Sequence, residues 1–216
     1  MSEKATFKET FRDYLDGKLE FEKNQKIAIF FLFVVLAGLG GWVWEFIFEI
    51  INRGGGGVYI TGGNILPWIN IYAIGGVLVT MLTHKFRKKP LLVFLISMVS
   101  TGLLELIGGW LVYQVGGGTR YWDYTDQWWG IGHINGFVCP ASATVFGIGS
   151  LFFIYLLAPL SIYISQKFDQ RKFLIVMTII FSLVIVDEVT NLALKHLDLP
   201  YSINIYTALG WKPKEV

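Results

Sequence analysis

The chain has 216 residues, of which 54% are hydrophobic and only 16% are charged, and its mean hydropathy is +0.54. This composition excludes an ordinary soluble domain and predicts one membrane domain. A formal net charge of +2 is too small to indicate nucleic-acid binding, and the basic residues are not clustered with base-stacking aromatics. The single cysteine, Cys139, excludes an internal disulfide and lacks the partners of a zinc or redox motif.

The N-terminal segment, residues 1–26, is charged and is expected to be cytoplasmic. Phe7, Phe11, Leu15 and Leu19 recur there at helical spacing among charged residues, which is typical of an amphipathic helix on a membrane surface. A solvated leader with incidental apolar residues fits the same pattern. The apolar stretch that follows is too long for a signal peptide and has no small-residue cleavage site, so we expect it to stay in the mature protein.

Five stretches are long and apolar enough to cross a bilayer, which needs roughly 20 residues in helical form. They are residues 27–51, 65–83, 90–115, 137–165 and 173–194. The sequence therefore predicts an all-α fold, a polytopic membrane helix bundle with about five transmembrane helices over residues 27–195. The tail, residues 196–216, mixes apolar and polar residues and is expected to rest at the outer interface without crossing.

Positive charge predicts the orientation, because Lys and Arg are retained on the cytoplasmic side of short loops. Six basic residues precede the first stretch, four lie in the second loop and three in the fourth. The first and third loops hold one each, Arg53 and Arg120. We therefore expect a cytoplasmic N-terminus and an extracytoplasmic C-terminus.

The first two spans and the next two resemble each other weakly. Each pair carries a glutamate, a glycine run beside an arginine, an asparagine and a proline, with Glu45 and Glu105 in corresponding positions. Both pairs leave the cytoplasm and return, so they would be parallel two-helix repeats, and Asp187 holds the matching position in an unpaired fifth span. Glycine-rich membrane sequences also produce such resemblances by chance, so both interpretations stay open.

Acidic residues lie in the outer half of three predicted spans. They are Glu45, Glu49, Glu105, Asp187 and Glu188. A charge at the centre of a membrane helix costs about 2.5–3.5 kcal/mol on insertion scales, so several facing lipid would cost on the order of 10 kcal/mol. We expect them to face the interior, where they can pair, stay protonated or line a cavity open to the outside. Glu49 is predicted to pair with Arg53, one turn further on.

Small and polar residues share the acidic face, since Gly41 precedes Glu45 by one turn and Asn191 follows Asp187 by one turn. Such residues let helices approach closely and hydrogen-bond to each other, so a purely structural polar clasp is the alternative to a site. For Glu45, Glu105 and Asp187 we favour a binding site, and Glu188 is expected to make a secondary contact because it points about 100° away.

The loop between the third and fourth spans concentrates the other candidate residues. They are Arg120, Tyr121, Trp122, Asp123, Tyr124, His133 and Asn135. Arg120 and Asp123 are expected near the outer mouth of the acidic region, where they would cover the cavity or supply its cation. His133 has no second histidine at ligand spacing, so no metal site is predicted.

Two strings carry a resemblance to a known family. The first is Gly-Trp-x-x-Glu, present as Gly41, Trp42 and Glu45, and the second is Arg-Tyr-Trp-Asp-Tyr over residues 120–124, followed by Asn135. Over residues 41–149 the chain resembles the bacterial family named putative ABC-transporter type IV. That resemblance implies transport and a place in the bacterial cytoplasmic (plasma) membrane. The chain has no Gly-x-x-x-x-Gly-Lys-Ser/Thr loop, so it cannot hydrolyse ATP by itself.

Three functions fit these features. The favoured one is a transporter or membrane protein that binds a small solute or cation in an outward-facing polar pocket. Its predicted binding residues are Glu45, Glu105, Arg120, Asp123, Asn135 and Asp187, with Trp42, Tyr121, Trp122, Tyr124, His133 and Asn191 as secondary residues.

The second function is an intramembrane enzyme that acts on lipid or lipoprotein at the outer leaflet, with Asp123, Asp187 or His133 as acid and base. No recognisable nucleophile motif supports it, and the sequence identifies no catalytic residue and no cofactor. The third is an accessory subunit of a membrane complex, or a homo-oligomer, whose glycine-rich helix surfaces contact a partner.

Overall fold

The computed structural model describes residues 5–52, 65–115, 117–118, 120, 122–197 and 205–211. Its helices are α1 (Phe7–Asp16), α2 (Lys23–Asn52), α3 (Asn70–Thr83), α4 (Pro90–Val115), α5 (Pro140–Phe152), α6 (Ala158–Ser165), α7 (Gln170–His196) and α8 (Ile205–Ala208). A 3₁₀ turn, His84–Phe86, follows α3, and a π-helical turn, Phe153–Leu157, joins α5 to α6. These ranges contain no β-strand, so the predicted all-α fold is confirmed.

Four helical segments in the described part of the chain are long and apolar enough to cross a membrane. They are Lys23–Ile51, Pro90–Val115, Pro140–Ser165 and Gln170–Asn191. The prediction of a multi-pass membrane helix bundle is therefore confirmed. The remaining predicted stretch, residues 65–83, is helical only in α3, whose 14 residues are about 21 Å long. Because a full span needs roughly 20 residues, the predicted number of five spans is approximate.

The chain divides into two compact units. Unit 1 comprises Met1–Thr6, Glu20–Ile74 and Leu160–Val216, and unit 2 comprises Phe7–Leu19 and Gly75–Pro159. The predicted two-helix repeats do not coincide with these units, because α3 begins in unit 1 and ends in unit 2. Duplication of the two helix pairs stays a prediction.

In unit 1, α2 packs along α7. Ala28 and Leu32 of α2 meet Phe173 and Met177 of α7 in one buried apolar cluster. Both pairs are spaced by four residues, which puts their side chains on one face of each helix. In lipid the solvent is as apolar as these side chains, so close van der Waals packing holds the two helices together.

Two glycines of α2 let the segment around the start of α3 approach closely. A Cβ atom at Gly38 would overlap the Trp68 ring, and one at Gly41 would overlap the Tyr72 ring. Trp68 Nε1 donates a hydrogen bond to the Val34 carbonyl at 3.2 Å. The glycines therefore make room for two aromatic side chains against α2, one of which reaches Glu45.

In unit 2, α4 packs against α5 through one face. That buried face consists of Val93, Ser97, Thr101, Glu105 and Gly109, one residue in every four. The exposed side of α4 carries Leu95, Val99, Leu103 and Ile107. Glu105 therefore faces the protein interior, and the side of α4 that faces the lipid carries apolar side chains. The free-energy cost of placing a charge against hydrocarbon requires this arrangement.

The predicted N-terminal helix is present as α1, in unit 2. Its Tyr14 side chain is buried, and the Arg87 guanidinium lies 4.9 Å from the Tyr14 ring centroid. Asp16 forms ion pairs with Lys18 and Lys88, each at 2.8 Å. Burial raises the pKa of Tyr14 to about 12, although the charge of Arg87 opposes this shift. Hydrogen bonds from Lys18 and Lys88 lower the pKa of Asp16 to about 2. These contacts hold α1 against residues 84–89, the basic turn after α3.

Candidate functional site

Glu105 of α4 is the most enclosed of the predicted binding residues, with 5% of its surface exposed. The Tyr124 hydroxyl donates to Glu105 Oε1 at 2.7 Å, and the Ser142 hydroxyl donates to Oε2 at 2.8 Å. Both donors are neutral, and no basic side chain of the described residues forms an ion pair with Glu105. An isolated carboxylate is costly at membrane depth, so this geometry suits a carboxyl group that holds a proton or a bound cation.

The start of α5 fixes the Ser142 hydroxyl. Cys139 is the N-cap residue, its Sγ accepts the Ser142 N–H at 3.3 Å, and the Cys139 N–H donates to Ser142 Oγ at 3.2 Å. This reciprocal pair satisfies N–H groups that have no partner within the helix. The sequence interpretation missed Ser142. The available signal was Pro140 at the first helical position with a serine two residues later, which is typical of a capped helix start.

Tyr124, predicted as a secondary residue, is a direct partner of Glu105. Burial, followed by the nearby Glu105 carboxyl, holds the pKa of Tyr124 far above its usual range, so its hydroxyl stays a donor. The Tyr124 N–H donates to the Gly136 carbonyl at 3.0 Å, and its ring contacts that of Trp129 at 5.1 Å between centroids. The loop thereby holds the tyrosine over the acid.

The structure brings Arg120, Asp123 and Asn135 together, and they form a clamp within the loop. Arg120 Nη1 donates to the Asn135 carbonyl at 2.7 Å and lies 3.1 Å from Asp123 Oδ2. The guanidinium also lies over the Phe137 and Tyr113 rings, at 4.7 and 5.3 Å from their centroids. Asn135 contributes its backbone carbonyl to this clamp. The positive charge is therefore engaged within the loop.

A tight backbone turn lies under this clamp. Asn135 and Gly136 both have positive φ angles, 50° and 73°. A Cβ atom at Gly136 would overlap Asp123 Oδ1 and Arg120 Nη1, so only glycine fits beneath the ion pair. The Gly136 N–H donates to His133 Nδ1 at 3.2 Å, which gives His133 a role in the turn.

The carboxyl group of Asp123 has partners besides Arg120. Its Oδ1 accepts hydrogen bonds from the N–H and the hydroxyl of Thr125. Burial raises the pKa of Asp123, but the Thr125 hydrogen bonds and the charge of Arg120 outweigh it, so the pKa lies below its usual range. Trp122 Nε1 donates a hydrogen bond to the Phe137 carbonyl at 2.8 Å, which adds a further contact within the loop. Tyr121 lies outside the described residues.

Unit 1 contains a similar acid–tyrosine pair. The Tyr72 hydroxyl donates to Glu45 Oε1 at 2.6 Å, and no ion pair to Glu45 occurs in the part of the chain that the structure describes. Tyr72 was also missed by the sequence interpretation, because its partner lies 27 residues away on another helix. Glu49 is buried, and its predicted partner Arg53 lies outside the described residues.

Asp187 of α7 holds the chain that leads into α3. Its Oδ1 accepts the Ile65 N–H at 3.2 Å and the Asn191 amide at 2.9 Å, and its Oδ2 accepts the Leu66 N–H at 2.8 Å. Asn191, which the sequence places on the same helix face as Asp187, is thus one of its hydrogen-bond partners. The neighbouring Glu188 accepts a hydrogen bond from an asparagine at the start of α3 at 2.5 Å. Both acids of α7 thus bind the segment that carries Tyr72.

Trp42, the other secondary residue, belongs to an aromatic cluster in unit 1. Its ring lies 5.3 Å from Phe46, 6.3 Å from Tyr206 and 6.2 Å from Trp211, measured between centroids. Burial, followed by the negative charge of Asp187, raises the pKa of Tyr206. The segment from α8 to Trp211 therefore covers α2 close to the unit 1 acids.

The predicted site residues divide between the two units. Glu45 and Asp187 belong to unit 1, whereas Glu105, Arg120, Asp123 and Asn135 belong to unit 2. A single outward-facing pocket shared by all of them stays a prediction. Across the described ranges no group of three or more His, Cys, Asp or Glu side chains is arranged to hold a metal ion.

A family model described as "Putative ABC-transporter type IV" matches residues 29–192. The matched range includes every residue of both acid–tyrosine pairs. No curated protein and no solved structure matches the chain.

Proposed function

The chain belongs to this transporter-type family of multi-pass membrane proteins, and we propose that it binds a small cation through buried carboxyl groups as part of transport. One observation carries the proposal. Glu105 is buried on the packed face of α4, accepts hydrogen bonds from Tyr124 and Ser142, and has no basic partner among the described residues. An ionisable residue placed this way inside a membrane helix is by default a candidate for a substrate or ion pathway or for a proton relay.

The donor set indicates the class of ion. Carboxylate, hydroxyl and carbonyl oxygens are hard ligands that suit hard cations and protons. Ser142 Oγ lies 2.8 Å from the Glu105 carboxyl and 3.0 Å from the Cys139 carbonyl, so three kinds of oxygen meet here. A single carboxylate balances one positive charge. The proposed ligand is therefore a monovalent cation or a proton.

The Glu45–Tyr72 pair in unit 1 is proposed as a second site of the same kind. Asp187 has a different proposed role, because its carboxylate already accepts two backbone N–H groups and one side-chain amide. A carboxylate satisfied in this way is a positioning group. It keeps the segment before α3 in place so that Tyr72 reaches Glu45.

Under the orientation that the basic loops indicate, Glu45 and Glu105 lie in the outer halves of their helices, which favours access from the extracytoplasmic side. The plasma membrane location and the outward-facing access belong to the proposal. Labelling of lysine and arginine side chains with membrane-impermeant reagents tests this orientation directly. Such reagents reach the side chains near a given end of the spans from one side of the membrane only.

The enzyme hypothesis finds less support. Asp123 is engaged by Thr125 and Arg120, His133 Nδ1 accepts a backbone N–H, and Asp187 holds the segment before α3. The groups proposed as acid and base are thus bound within the local structure. A comparison of membrane lipids in cells with and without the protein tests this hypothesis, and crosslinking in native membranes tests the accessory-subunit hypothesis.

The experiment for cation binding uses the purified protein in lipid nanodiscs. Thermal unfolding is followed in Li⁺, Na⁺ and K⁺ salts at constant ionic strength, with a bulky organic cation as the replacement ion. It is also followed over a pH series, which varies the proton concentration, and across a panel of small solutes. A ligand at 100 times its Kd stabilises the folded state by about 2.7 kcal/mol. We expect at least one cation to stabilise the wild type and Glu105→Gln to lose most of that response.

Two further variants make the test specific. Glu45→Gln is expected to lose part of the response, whereas Asp126→Asn removes an exposed acid of the unit 2 loop and should respond as the wild type does. If no metal ion, solute or change of pH alters the stability of the wild type, or if Glu105→Gln and Glu45→Gln both respond like it, cation binding by these carboxyl groups is wrong.

A further inference from the structure

A row of buried polar side chains on α4 leads to Glu105. Ser97, Thr101 and Glu105 occupy every fourth position of the packed face and are 0%, 6% and 5% exposed. With a rise of 1.5 Å per residue, successive members of the row are about 6 Å apart along the helix. That separation is about twice a hydrogen-bond length, so one water molecule can link each group to the next.

Ser97 differs from its neighbours in its hydrogen bonding. Thr101 Oγ1 donates to the Ser97 carbonyl at 2.7 Å, and Ser100 Oγ donates to the same carbonyl at 3.2 Å. The Ser97 hydroxyl itself is completely buried and has no hydrogen-bond partner in the described ranges. A buried hydroxyl of this kind is costly unless water or a passing ion satisfies it.

A second buried hydroxyl of unit 2 shares this property. Thr80 Oγ1 of α3 also lacks a hydrogen-bond partner among the described residues. Thr80 lies four residues before His84, which is about 6 Å from the basic turn along α3, and Ser97 lies seven residues after Pro90, about 10 Å along α4. Both positions therefore fall between the basic turn and Glu105.

The backbone is irregular at the same level. Val79, next to Thr80, and Val93, one turn before Ser97, pack together with Ile154 of the π-helical turn. In that turn the Ala158 N–H bonds to the Phe153 carbonyl, five residues back. Single π-helical turns within α-helices are frequent at functional sites. The two hydroxyl groups that lack hydrogen-bond partners thus lie close in sequence to residues that pack against this π-helical turn.

We infer that the ion taken up by Glu105 is a proton, and that it travels from the basic turn past Thr80, Ser97 and Thr101 through bridging water. This route of uptake lies on the opposite side of Glu105 from the outward-facing access proposed above, which serves release. This inference rests on the proposed function, since it assigns the ion and the route for the same carboxyl group. A hydroxyl donates one hydrogen bond and accepts others, so it can receive a proton on one side while releasing its own on the other. The Glu105 carboxylate gains one proton, and each hydroxyl and water ends with the number of protons it began with.

The experiment measures how fast Glu105 exchanges its proton for deuterium. The protein is embedded in lipid bilayers, water is replaced by D₂O, and the infrared band of the protonated carboxyl is followed as it shifts. Glu105→Gln identifies the band. Thr101→Val and Ser97→Ala remove one hydroxyl each, and we expect each to slow the shift by about tenfold or more, equivalent to about 1.4 kcal/mol in the barrier.

Matched controls separate the route from packing. Thr101→Ser keeps a hydroxyl at the same position and should exchange at the wild-type rate. Ser100→Ala removes a neighbouring hydroxyl that bonds the same Ser97 carbonyl but is not on the packed face, and it should also leave the rate unchanged. Because Thr101→Val replaces only the hydroxyl by a methyl group and Thr101→Ser removes only the methyl group, the comparison holds even where Ser97→Ala fails to fold.

The outcomes distinguish this inference from the proposed function. Wild-type exchange rates in both Ser97→Ala and Thr101→Val would overturn the route. Absence of a protonated Glu105 band, together with stabilisation by a metal cation, would overturn the proton assignment and leave cation binding in place. Absence of stabilisation by any cation, with no effect of Glu105→Gln on stability at any pH, would instead overturn the proposed function.

Discussion

Gly136→Ala is the sharpest test of the loop that places Tyr124 over Glu105. Gly136 has a φ angle of 73°, and an alanine Cβ there would overlap Asp123 Oδ1 and Arg120 Nη1. Gly117 supplies the matched control, since its φ angle is 62° and a Cβ there would have nothing within 4 Å. Both substitutions therefore carry the free-energy cost of a left-handed backbone at alanine. Gly136→Ala adds the overlap with the Arg120 and Asp123 side chains.

The magnitude follows from what each substitution disturbs. Placing an alanine in the left-handed region costs roughly 1–2 kcal/mol, and Gly117→Ala should show that cost alone. Gly136→Ala must also displace Arg120 from the Asn135 carbonyl, a charged hydrogen bond worth about 1.5–3 kcal/mol when buried. Because the Arg120 and Asp123 side chains are 30% and 41% exposed, we take the lower end and add nothing for the ion pair. The expected extra loss is about 1.5 kcal/mol.

Thermal unfolding in nanodiscs, followed by tryptophan fluorescence, measures the difference. For a chain of this size each kcal/mol lowers Tm by about 2–4 °C, so Gly136→Ala should unfold roughly 3–6 °C below Gly117→Ala. Displacement of the Gly136 carbonyl also removes the acceptor of the Tyr124 N–H, so the cation response of Glu105 should weaken.

A double-variant cycle then isolates the clash. In an Asp123→Ala background one of the two side chains that the new Cβ meets is shortened, so Gly136→Ala should lose less stability there than in the wild type. Equal stability losses for Gly136→Ala and Gly117→Ala would refute the reasoning, and so would a Gly136→Ala cost that is the same in both backgrounds.

Three more predictions test other parts of the molecule. Gly41→Ala should destabilise the fold by about 1–3 kcal/mol because its Cβ would overlap the Tyr72 ring. Gly75→Ala, whose Cβ would have nothing within 4 Å, should be neutral or stabilising by up to about 1 kcal/mol. Thermal melts of both variants check this. Asp187→Ala should lower Tm by leaving two backbone N–H groups unpaired but keep the part of the cation response that depends on Glu105, and loss of that part in a stable variant would make Asp187 a ligand. The pKa of Tyr14 is about 12 when α1 is docked and 10.0 when it is not, so docking should weaken as pH rises from about 10 to 12. Tyr14→Phe should reduce that dependence in a protease-protection assay and leave the part that comes from the Asp16–Lys88 ion pair. On the acid side, the low pKa of Asp16 predicts weakening from about pH 4 to 2.

Much of the architecture was predictable because it depends on local composition. The bounds predicted for the third apolar stretch, residues 90–115, coincide with α4. The next helix begins at Pro140, later than predicted, because the left-handed turn at Asn135 and Gly136 and the N-cap at Cys139 occupy the residues before it. The stretch predicted at residues 65–83 was too long, since its first five residues are held by other contacts outside the helix.

The partners of the acids were not predictable in the same way. Ser142 reaches Glu105 from 37 residues away, and Tyr72 reaches Glu45 from 27 residues away. Neither pair has a periodic signal, because hydrogen bonds depend on distances and directions that arise only when helices pack. Arg120 was expected to cover a cavity or supply its cation, and its guanidinium is engaged by the Asn135 carbonyl and two aromatic rings.

The amino-acid sequence by itself determined that this is a multi-pass membrane protein and that Glu105 turns inward, because the cost of a charge against hydrocarbon depends on residue type and helical position alone. Only the tertiary structure decided which hydroxyl meets each acid, which acid is a binding candidate and which holds the chain in place. Those roles depend on how each carboxyl oxygen is satisfied, and that requires the positions of residues far apart in the chain.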